Sequence, residues 1–244
     1  MQSLECLVSE AKNIVILTGA GISTESGIPD FRSPGGVWES FRIVQFHEFI
    51  SSEKARLEDW RRRFFMEDQL SQAKPNIGHN VIAKWVKEGK CTKIITQNID
   101  GLHQLAGTPD EDIIEIHGSA RHANCLSCDL RYEMDECRKM LEETDQSPLC
   151  NSCGGIVKSA VVMFGQQMPK EKTQQAFKEA ENCDLFLAIG TSLTVQPANN
   201  LPSIAKRAGA KFAIINRDPT ELDWKADVVV NGEIGVTLGQ ITVG

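Results

Sequence analysis

The sequence predicts an α/β protein built on a doubly wound parallel sheet, and three observations predict it. Six short apolar runs rich in β-branched residues lie along the chain, at 13–17 (NIVIL), 93–96 (KIIT), 113–116 (IIEI), 184–189 (DLFLAI), 211–215 (KFAII) and 227–230 (DVVV). They are short and unalternating, as strands covered on both faces should be. Helix-patterned segments at 77–87, 172–180 and 198–208 fall between several of them, and strands alternating with helices give a parallel sheet with helices on its faces.

The first run ends in Gly19-Ala20-Gly21-Ile22-Ser23. Glycines directly after a first strand let the backbone approach a pyrophosphate, which the next helix N-terminus favours. A tight strand-to-helix turn uses the same residues, and Thr24 stands where G-x-G-x-x-G would place its third glycine. Two stretches break the strand–helix rhythm. Residues 34–75, with Trp38, Phe41, Phe46, Phe49, Trp60, Phe64 and Phe65, read as a helical cover over the site. Residues 120–157 read as a small inserted module, polar and Cys-bearing, with one weak helical piece near 134–141. This leaves 1–33, 76–119 and 158–244 to the sheet domain, a division that 244 residues can support with a sizeable core.

The formal net charge is −7 and the longest basic run is Arg61-Arg62-Arg63. No broad cationic face for nucleic acid or an acidic membrane results from that, and a basic peptide is the better-matched partner. The N-terminal stretch carries acids early and only a short apolar run, which predicts neither a signal peptide nor a membrane span, and hence a cytoplasmic protein. In such a setting the eight cysteines are expected as thiols or metal ligands rather than disulfides. Cys125-x-x-Cys128 and Cys150-x-x-Cys153, with 21 residues between the pairs, have close to the spacing that zinc favours. Four thiolates close a tetrahedron, so one structural zinc with no open position is expected there. Cys6, Cys91, Cys137 and Cys183 lack a partner at that spacing and are left out of the site.

Other polar groups sit where strands end. Gly190-Thr191-Ser192 and Asn216-Arg217-Asp218 each come directly after a predicted strand, and loops at the carboxyl ends of parallel strands line one ligand-binding edge. Each alone reads equally as an ordinary turn; together with the first glycine loop they favour a dinucleotide. Thr96-Gln97-Asn98-Ile99-Asp100-Gly101-Leu102-His103 is a costly composition for a core unless it holds a polar ligand. His47, His79, His103 and His122 are read as structural, whereas His117 ends a strand on the same edge as the phosphate-type loops.

These stretches occur in a fixed order: GAGISTESGIPDFR at 19–32, TQNIDGLH at 96–103, His117-Gly118, the two Cys pairs, VVMFG at 161–165, GTSL at 190–193 and NRD at 216–218. The set resembles the sirtuin (Sir2-like) family of NAD-dependent protein deacylases across nearly the whole chain, with the helical segment closest to a bacterial class II branch. The resemblance implies a Rossmann-like NAD domain and a small zinc domain, with NAD and an acyl-lysine protein or peptide meeting between them; the sequence leaves the oligomeric state open, with a monomer favoured. By resemblance Ala20, Thr24, Asp30, Phe31 and Arg32, with Gly19 and Gly21, contact NAD. Gln97, Asn98, Ile99 and Asp100 surround the nicotinamide and its ribose, while Gly190, Thr191, Ser192, Asn216, Arg217, Asp218 and Ile234 complete the adenosine half.

The resemblance maps His117 onto the general base, with Asn98 and Asp100 completing the catalytic set. The implied reaction begins when the acyl oxygen attacks C1′ of the nicotinamide ribose and nicotinamide leaves; His117 then takes a ribose hydroxyl proton. The products are deacylated lysine, nicotinamide and O-acyl-ADP-ribose. Val162, Met163, Phe164 and Gly165 on one side and Leu193, Thr194 and Val195 on the other would pair with the peptide as an added strand. Met163 and Gln166 replace a Phe and a Glu of the family pattern, which bears on substrate choice. The Tyr-x-x-Arg pair of the malonyl and succinyl branch is missing, because the lone tyrosine is Tyr132; acetyl or longer acyl groups are expected instead. A mono-ADP-ribosyltransferase and a non-catalytic NAD- or ADP-ribose-binding regulator are the alternative functions. Arg61, Arg62 and Arg63 read either as part of the resemblance to the class II branch or as a solvated helix face.

Overall fold

The computed structural model describes residues 3–30 and 42–241. Phe31, Arg32, Trp38 and Phe41 lie outside the described residues. The larger sheet has six strands, β1 (Ile14–Thr18), β2 (Cys91–Thr96), β3 (Ile113–Glu115), β7 (Leu185–Ile189), β8 (Lys211–Asn216) and β9 (Val228–Asn231). They lie in the order β3-β2-β1-β7-β8-β9, and every pairing is parallel. The order reverses between β1 and β7, and an opening at the strand ends of such a switch point is where ligands enter doubly wound sheets.

The lack of alternation in the apolar runs has its explanation in two separate cores. Ile14 and Ile16 of β1 pack on one face, with Leu185, Leu187 and Ile189 of β7 and Trp85 and Ile82 of the helix α4 (Ile77–Lys87). Val15 and Leu17 point the other way, towards Phe186, Phe212 and Ala176 of α7 (Lys170–Asn182). A period of two therefore divides each strand between two dry faces, so both phases must be apolar. α1 (Leu4–Glu10) and α9 (Ile234–Gly239) join α4 on the first face, and α8 (Leu201–Arg207) joins α7 on the second. The segment expected as one helix at 198–208 begins as a 3-10 turn over Ala198–Asn200, and α8 comes next with Pro202 at its start, where a missing N–H leaves no orphan.

A second sheet has three strands, β4 (His122–Cys125), β5 (Arg131–Glu133) and β6 (Val157–Ser159), with β4 in the middle and antiparallel to both neighbours. The boundary expected after residue 157 thus falls inside β6. Two helices of the cover, α2 (Phe46–Ser51) and α3 (Glu53–Leu70), do not form a core of their own. Phe49, Trp60 and Phe64 pack with Tyr132, Met134, Val157 and Cys137, the last from α6 (Met134–Thr144). The cover and the Cys module are therefore one hydrophobic unit, as two small pieces with too little apolar surface to stand alone would be.

Candidate functional site

At the switch point, backbone contacts bring the strand-end loops against one another. Gly19 N donates to Ile189 O at 3.1 Å, Gly21 N to Gly190 O at 2.8 Å, and Gln97 N to Thr18 O at 3.0 Å. A Cβ on Gly21 would lie 2.8 Å from the Gly190 carbonyl oxygen, and one on Gly190 would lie 2.3 Å from Ile22 N. The glycines are thus required by the approach of the β1 loop to the β7 loop, a steric demand independent of any phosphate. The segment after β1 also differs from the expected strand-to-helix turn: Ala20–Ser26 is a 3-10 helix ended by Gly27 at φ 83°, so no long helix presents its N-terminus there.

Around this junction lies a cavity of about 600 Å³. Gly19, Ala20, Gly21, Thr24, Asp30, Gln97, Asn98, Ile99, His117, Gly190, Thr191, Ser192, Asn216, Arg217, Asp218 and Ile234 all line it, and so do Val162, Met163, Phe164, Gly165 and Val195. The hydroxyls of Thr24, Thr191 and Ser192, the Asn216 carboxamide and the Arg217 guanidinium form a polar set suited to ribose and phosphate groups, so the residues present fit a dinucleotide. Asp100 does not line this space. It faces an adjoining cavity of about 360 Å³ beyond Ile99, where Leu102 N and Ser23 Oγ both donate to its carboxylate. Burial pushes its carboxyl above the ordinary value, and those hydrogen bonds work against the rise. Leu193 is buried, with φ 56°, and Thr194 hydrogen-bonds Ser192 at 3.0 Å; neither lines the cleft.

His117 stands at the junction of the two sheets. Its Nδ1 lies 3.2 Å from the Gln97 carbonyl oxygen. A carbonyl only accepts, so Nδ1 carries the hydrogen and the other ring nitrogen, Nε2, keeps a bare lone pair. Burial holds the ring below the ordinary imidazole value, with the Gln97 bond acting in the opposite sense. Asn98 is fixed by donation from its Nδ2 to Gly19 O at 3.1 Å and Ser23 Oγ at 3.2 Å. Opposite, the Gln166 side chain closes a turn by accepting from Met163 N at 3.1 Å, and Phe46 N donates to Phe164 O at 2.9 Å, joining this edge to α2.

Several lining residues carried no signal as single residues in the sequence. Ile43, Val44, Met66 and Met168 add apolar side chains to the cavity lining, and Arg62 and Arg63 of α3 line it too. The solvated-face reading of the arginine run holds only for Arg61, which is 59% exposed and pairs with Asp145. Arg62 and Arg63, 17% and 10% exposed, both grip the carboxylate of Asp59, which is wholly buried. The i, i+3 and i, i+4 spacing of that acid to the two bases was the available clue. Lys158 gave none. Its Nζ donates to Ser159 O at 2.7 Å and Val161 O at 2.6 Å, and burial pulls it down to about 7.

The four paired cysteines converge at the tip of the small sheet, with all their sulfurs within 4.8 Å of one another. Cys125 Sγ lies 3.5 Å from Cys153 Sγ, and Cys128 Sγ 3.6 Å from Cys150 Sγ. A zinc with bonds of about 2.3 Å to four thiolates sets sulfur–sulfur edges of about 3.8 Å, so the donor set fits that ion. Gly155 has to be glycine, because a Cβ there would meet Cys125 Sγ at 2.9 Å. Cys91, Cys137 and Cys183 are buried elsewhere and Cys6 is half-buried.

Comparison with known proteins agrees with this geometry. Residues 19–197 match the model of the Sir2 family. A protein from Rhodopseudomonas palustris named NAD-dependent protein deacetylase is 48% identical over 239 residues, covering 98% of this chain and 94% of its own length. One of the same name from Thermodesulfovibrio yellowstonii is 46% identical over 235 residues, covering 96% of this chain and 91% of its own. A solved Sir2 with a p53 peptide and NAD+ superposes with a TM-score of 0.85 at 35% identity, covering 96% of this chain and 94% of that one. Sir2Tm bound to a propionylated peptide gives 0.85 at 34% identity over the same shares. The chain belongs to the Sir2 family.

Proposed function

We propose that the protein is an NAD-dependent protein-lysine deacylase that releases nicotinamide and O-acyl-ADP-ribose. One observation carries the reading: His117, with a bare Nε2, shares a single cavity with the dinucleotide-type loops and with the 162–165 edge. NAD, when bound, supplies a ribose carbon that loses nicotinamide. The role of His117 is to accept a ribose hydroxyl proton at Nε2, which its Gln97 bond keeps free and pointed away from the backbone. Asn98 and Asp100 keep the nicotinamide side of the cleft in place, and Cys125, Cys128, Cys150 and Cys153 hold one structural zinc.

The apolar lining contributed by Ile43, Val44, Met66 and Met163 suits a neutral acyl chain, acetyl or longer, since Asp59 already engages both Arg62 and Arg63. Phe164, largely exposed beside the cleft, supports pairing of an acyl-lysine peptide along 162–165. None of the eight cysteines is in a disulfide, which accords with a reducing compartment such as the cytoplasm, and we take the monomer as the working unit. No helix among the described residues is long and apolar enough to cross a membrane.

Incubation with NAD and lysine peptides carrying acetyl, propionyl, octanoyl or succinyl groups tests this. Nicotinamide should appear in step with deacylation, with succinyl the poorest substrate, and His117→Ala should lose turnover while still binding NAD. Transfer of adenine-labelled ADP-ribose to protein without acyl-lysine would instead favour an ADP-ribosyltransferase.

A further inference from the structure

Behind the cleft lies a chain of buried polar side chains that the reaction itself does not use. Asn98 N donates to Thr96 Oγ1 at 3.0 Å, and Thr18 Oγ1 donates to the same oxygen at 2.9 Å. With its proton committed, Thr18 Oγ1 accepts from His103 Nε2 at 3.0 Å. The Nε2 of His103 therefore carries the ring hydrogen and its Nδ1 is bare. Next to it, Asn76 N donates to His79 Nδ1 at 3.4 Å, which puts the hydrogen of that ring on Nε2.

The two rings lie 5.0 Å apart between centroids. Their remaining nitrogens, His79 Nε2 and His103 Nδ1, are buried with no partner among the described residues. One is an N–H and the other a lone pair, the combination that pairs directly or across a single water. Two fully buried histidines placed with complementary tautomers are an ordered device rather than apolar filling.

We propose that His103 is a positioning residue: through Thr18 and Thr96 it holds Asn98, and with it the nicotinamide side of the cleft, in register with the loop after β1. The reach of the chain supports this. Asn98 bonds Gly19 O and Ser23 Oγ, and Ser23 Oγ donates to Asp100 Oδ2 at 2.7 Å. Asn76, at the other end, anchors the same loop by donating from Nδ2 to Ile22 O at 2.7 Å and Ser26 Oγ at 3.0 Å. Losing the His103 donor frees Thr18 to turn its hydroxyl away from Thr96, and Thr96 Oγ1 then loses the neighbour that holds it in place to accept from Asn98 N. Burial also keeps both rings uncharged, His103 being pulled down to about 3 and His79 to about 4.

The inference rests on the deacylase reading for its kinetic test and on NAD binding alone for a second. His103→Phe removes the donor while keeping a ring, His103→Gln keeps a donor near the Nε2 position, and Thr18→Val breaks the next link. A lost hydrogen bond of about 1.4 kcal/mol corresponds to about a tenfold change. We expect His103→Phe to weaken NAD by about tenfold in calorimetry, and to lower kcat/KM for NAD similarly while peptide KM stays within about twofold. His103→Gln should recover most of the loss, and adding Thr18→Val to His103→Phe should cost nothing further. Folded His103→Phe protein with NAD affinity unchanged, or losses that add in the double variant, would overturn the proposal. Should His103→Phe not fold, ring nitrogen-15 shifts of the wild type at pH 7 decide: a His103 protonated at Nδ1 overturns it and one protonated at Nε2 supports it. Wild-type protein that binds NAD without deacylating any peptide would sink the deacylase reading and leave the calorimetric test standing.

Discussion

Replacing Asp59 with Asn should be among the most destabilising single polar changes in the small unit. Asp59 is wholly buried and accepts from Arg62 Nη2 and, at 2.5 Å, from Arg63 Nε. Without its charge, two guanidinium groups only 17% and 10% exposed must remain desolvated with no counter-ion in contact. Removing one partner of a buried ion pair costs about 3–5 kcal/mol. Arg62 keeps a second acceptor, Arg42 O at 3.0 Å, and both arginines have some water, so the lower end, about 3 kcal/mol, is the better figure. That is a sizeable part of the 5–15 kcal/mol a domain typically has, and with a urea dependence of about 3 kcal/mol per molar the midpoint should fall by about 1 M. Urea titration followed by tryptophan fluorescence reads it, since Trp60 is buried in the same cluster. Asp145→Asn serves as the control, because the Arg61–Asp145 pair is 59% and 84% exposed and should contribute less than about 0.5 kcal/mol. A shift below about 0.2 M for Asp59→Asn would show that the buried triad does not hold the unit together.

Gly118→Ala places a Cβ 1.9 Å from Ala160 O at a backbone φ of 80°, and should cost several kcal/mol or prevent expression; Gly107→Ala, with φ 97° but open space around it, should cost only about 1 kcal/mol, and equal melting temperatures for the two variants would refute the steric argument. His79 and His103 are pulled down to about 4 and about 3 by burial, so the unfolded chain takes up their protons from about pH 6.5 downward while the folded chain does not. Stability should therefore fall as pH drops from about 6.5 to 4, by up to about 1.4 kcal/mol per pH unit for each ring, and flat urea midpoints between pH 7 and 5 would contradict it. Chelation should release one zinc per chain and unfold the Cys module, lowering kcat more than NAD affinity; equal loss of both would place the metal's influence elsewhere.

The strands of the large sheet could be read because they are buried on both faces: β1 shows as an unbroken apolar run since Val15 and Leu17 have a core of their own opposite Ile14 and Ile16. The convergence of the four cysteines was equally open, because a Cys-x-x-Cys turn brings two sulfurs together by local geometry alone. Arg62 and Arg63 could not be placed with the same ease. Whether a helix arginine meets water or an interior acid depends on which face α3 turns to the Cys module, and the apolar residues of α3 do not form a single clear stripe. The union of α2, α3 and the module into one core was hidden for a related reason: Phe49 and Trp60 meet Val157 and Tyr132 across about a hundred residues of chain. The glycines after β1 were legible as a close approach, though what they approach, the Gly190 backbone, is set by the order in which β1 and β7 pair.

The two sheets meet where His117 sits, and this gives the cluster of four sulfurs a bearing on a distant imidazole. From β3 the chain turns through Gly118, whose N–H bonds Glu115 O at 3.1 Å, and enters β4 at His122. Leaving β6, it comes back against its own outward path: Ala160 N donates to His122 O at 2.9 Å and Val162 N to His117 O at 2.8 Å. The backbone of His117 is thus held by the strand pair β4–β6, whose other end is fixed where Cys125 pairs with Val157. Gly190 and Asn216 hang from β7 and β8, with no bond to that pair among the contacts described. A metal at the four cysteines would therefore bear on where the His117 backbone stands and would leave the loops after β7 and β8 to the large sheet, because of the two only His117 is bonded to the strands that the cysteines close.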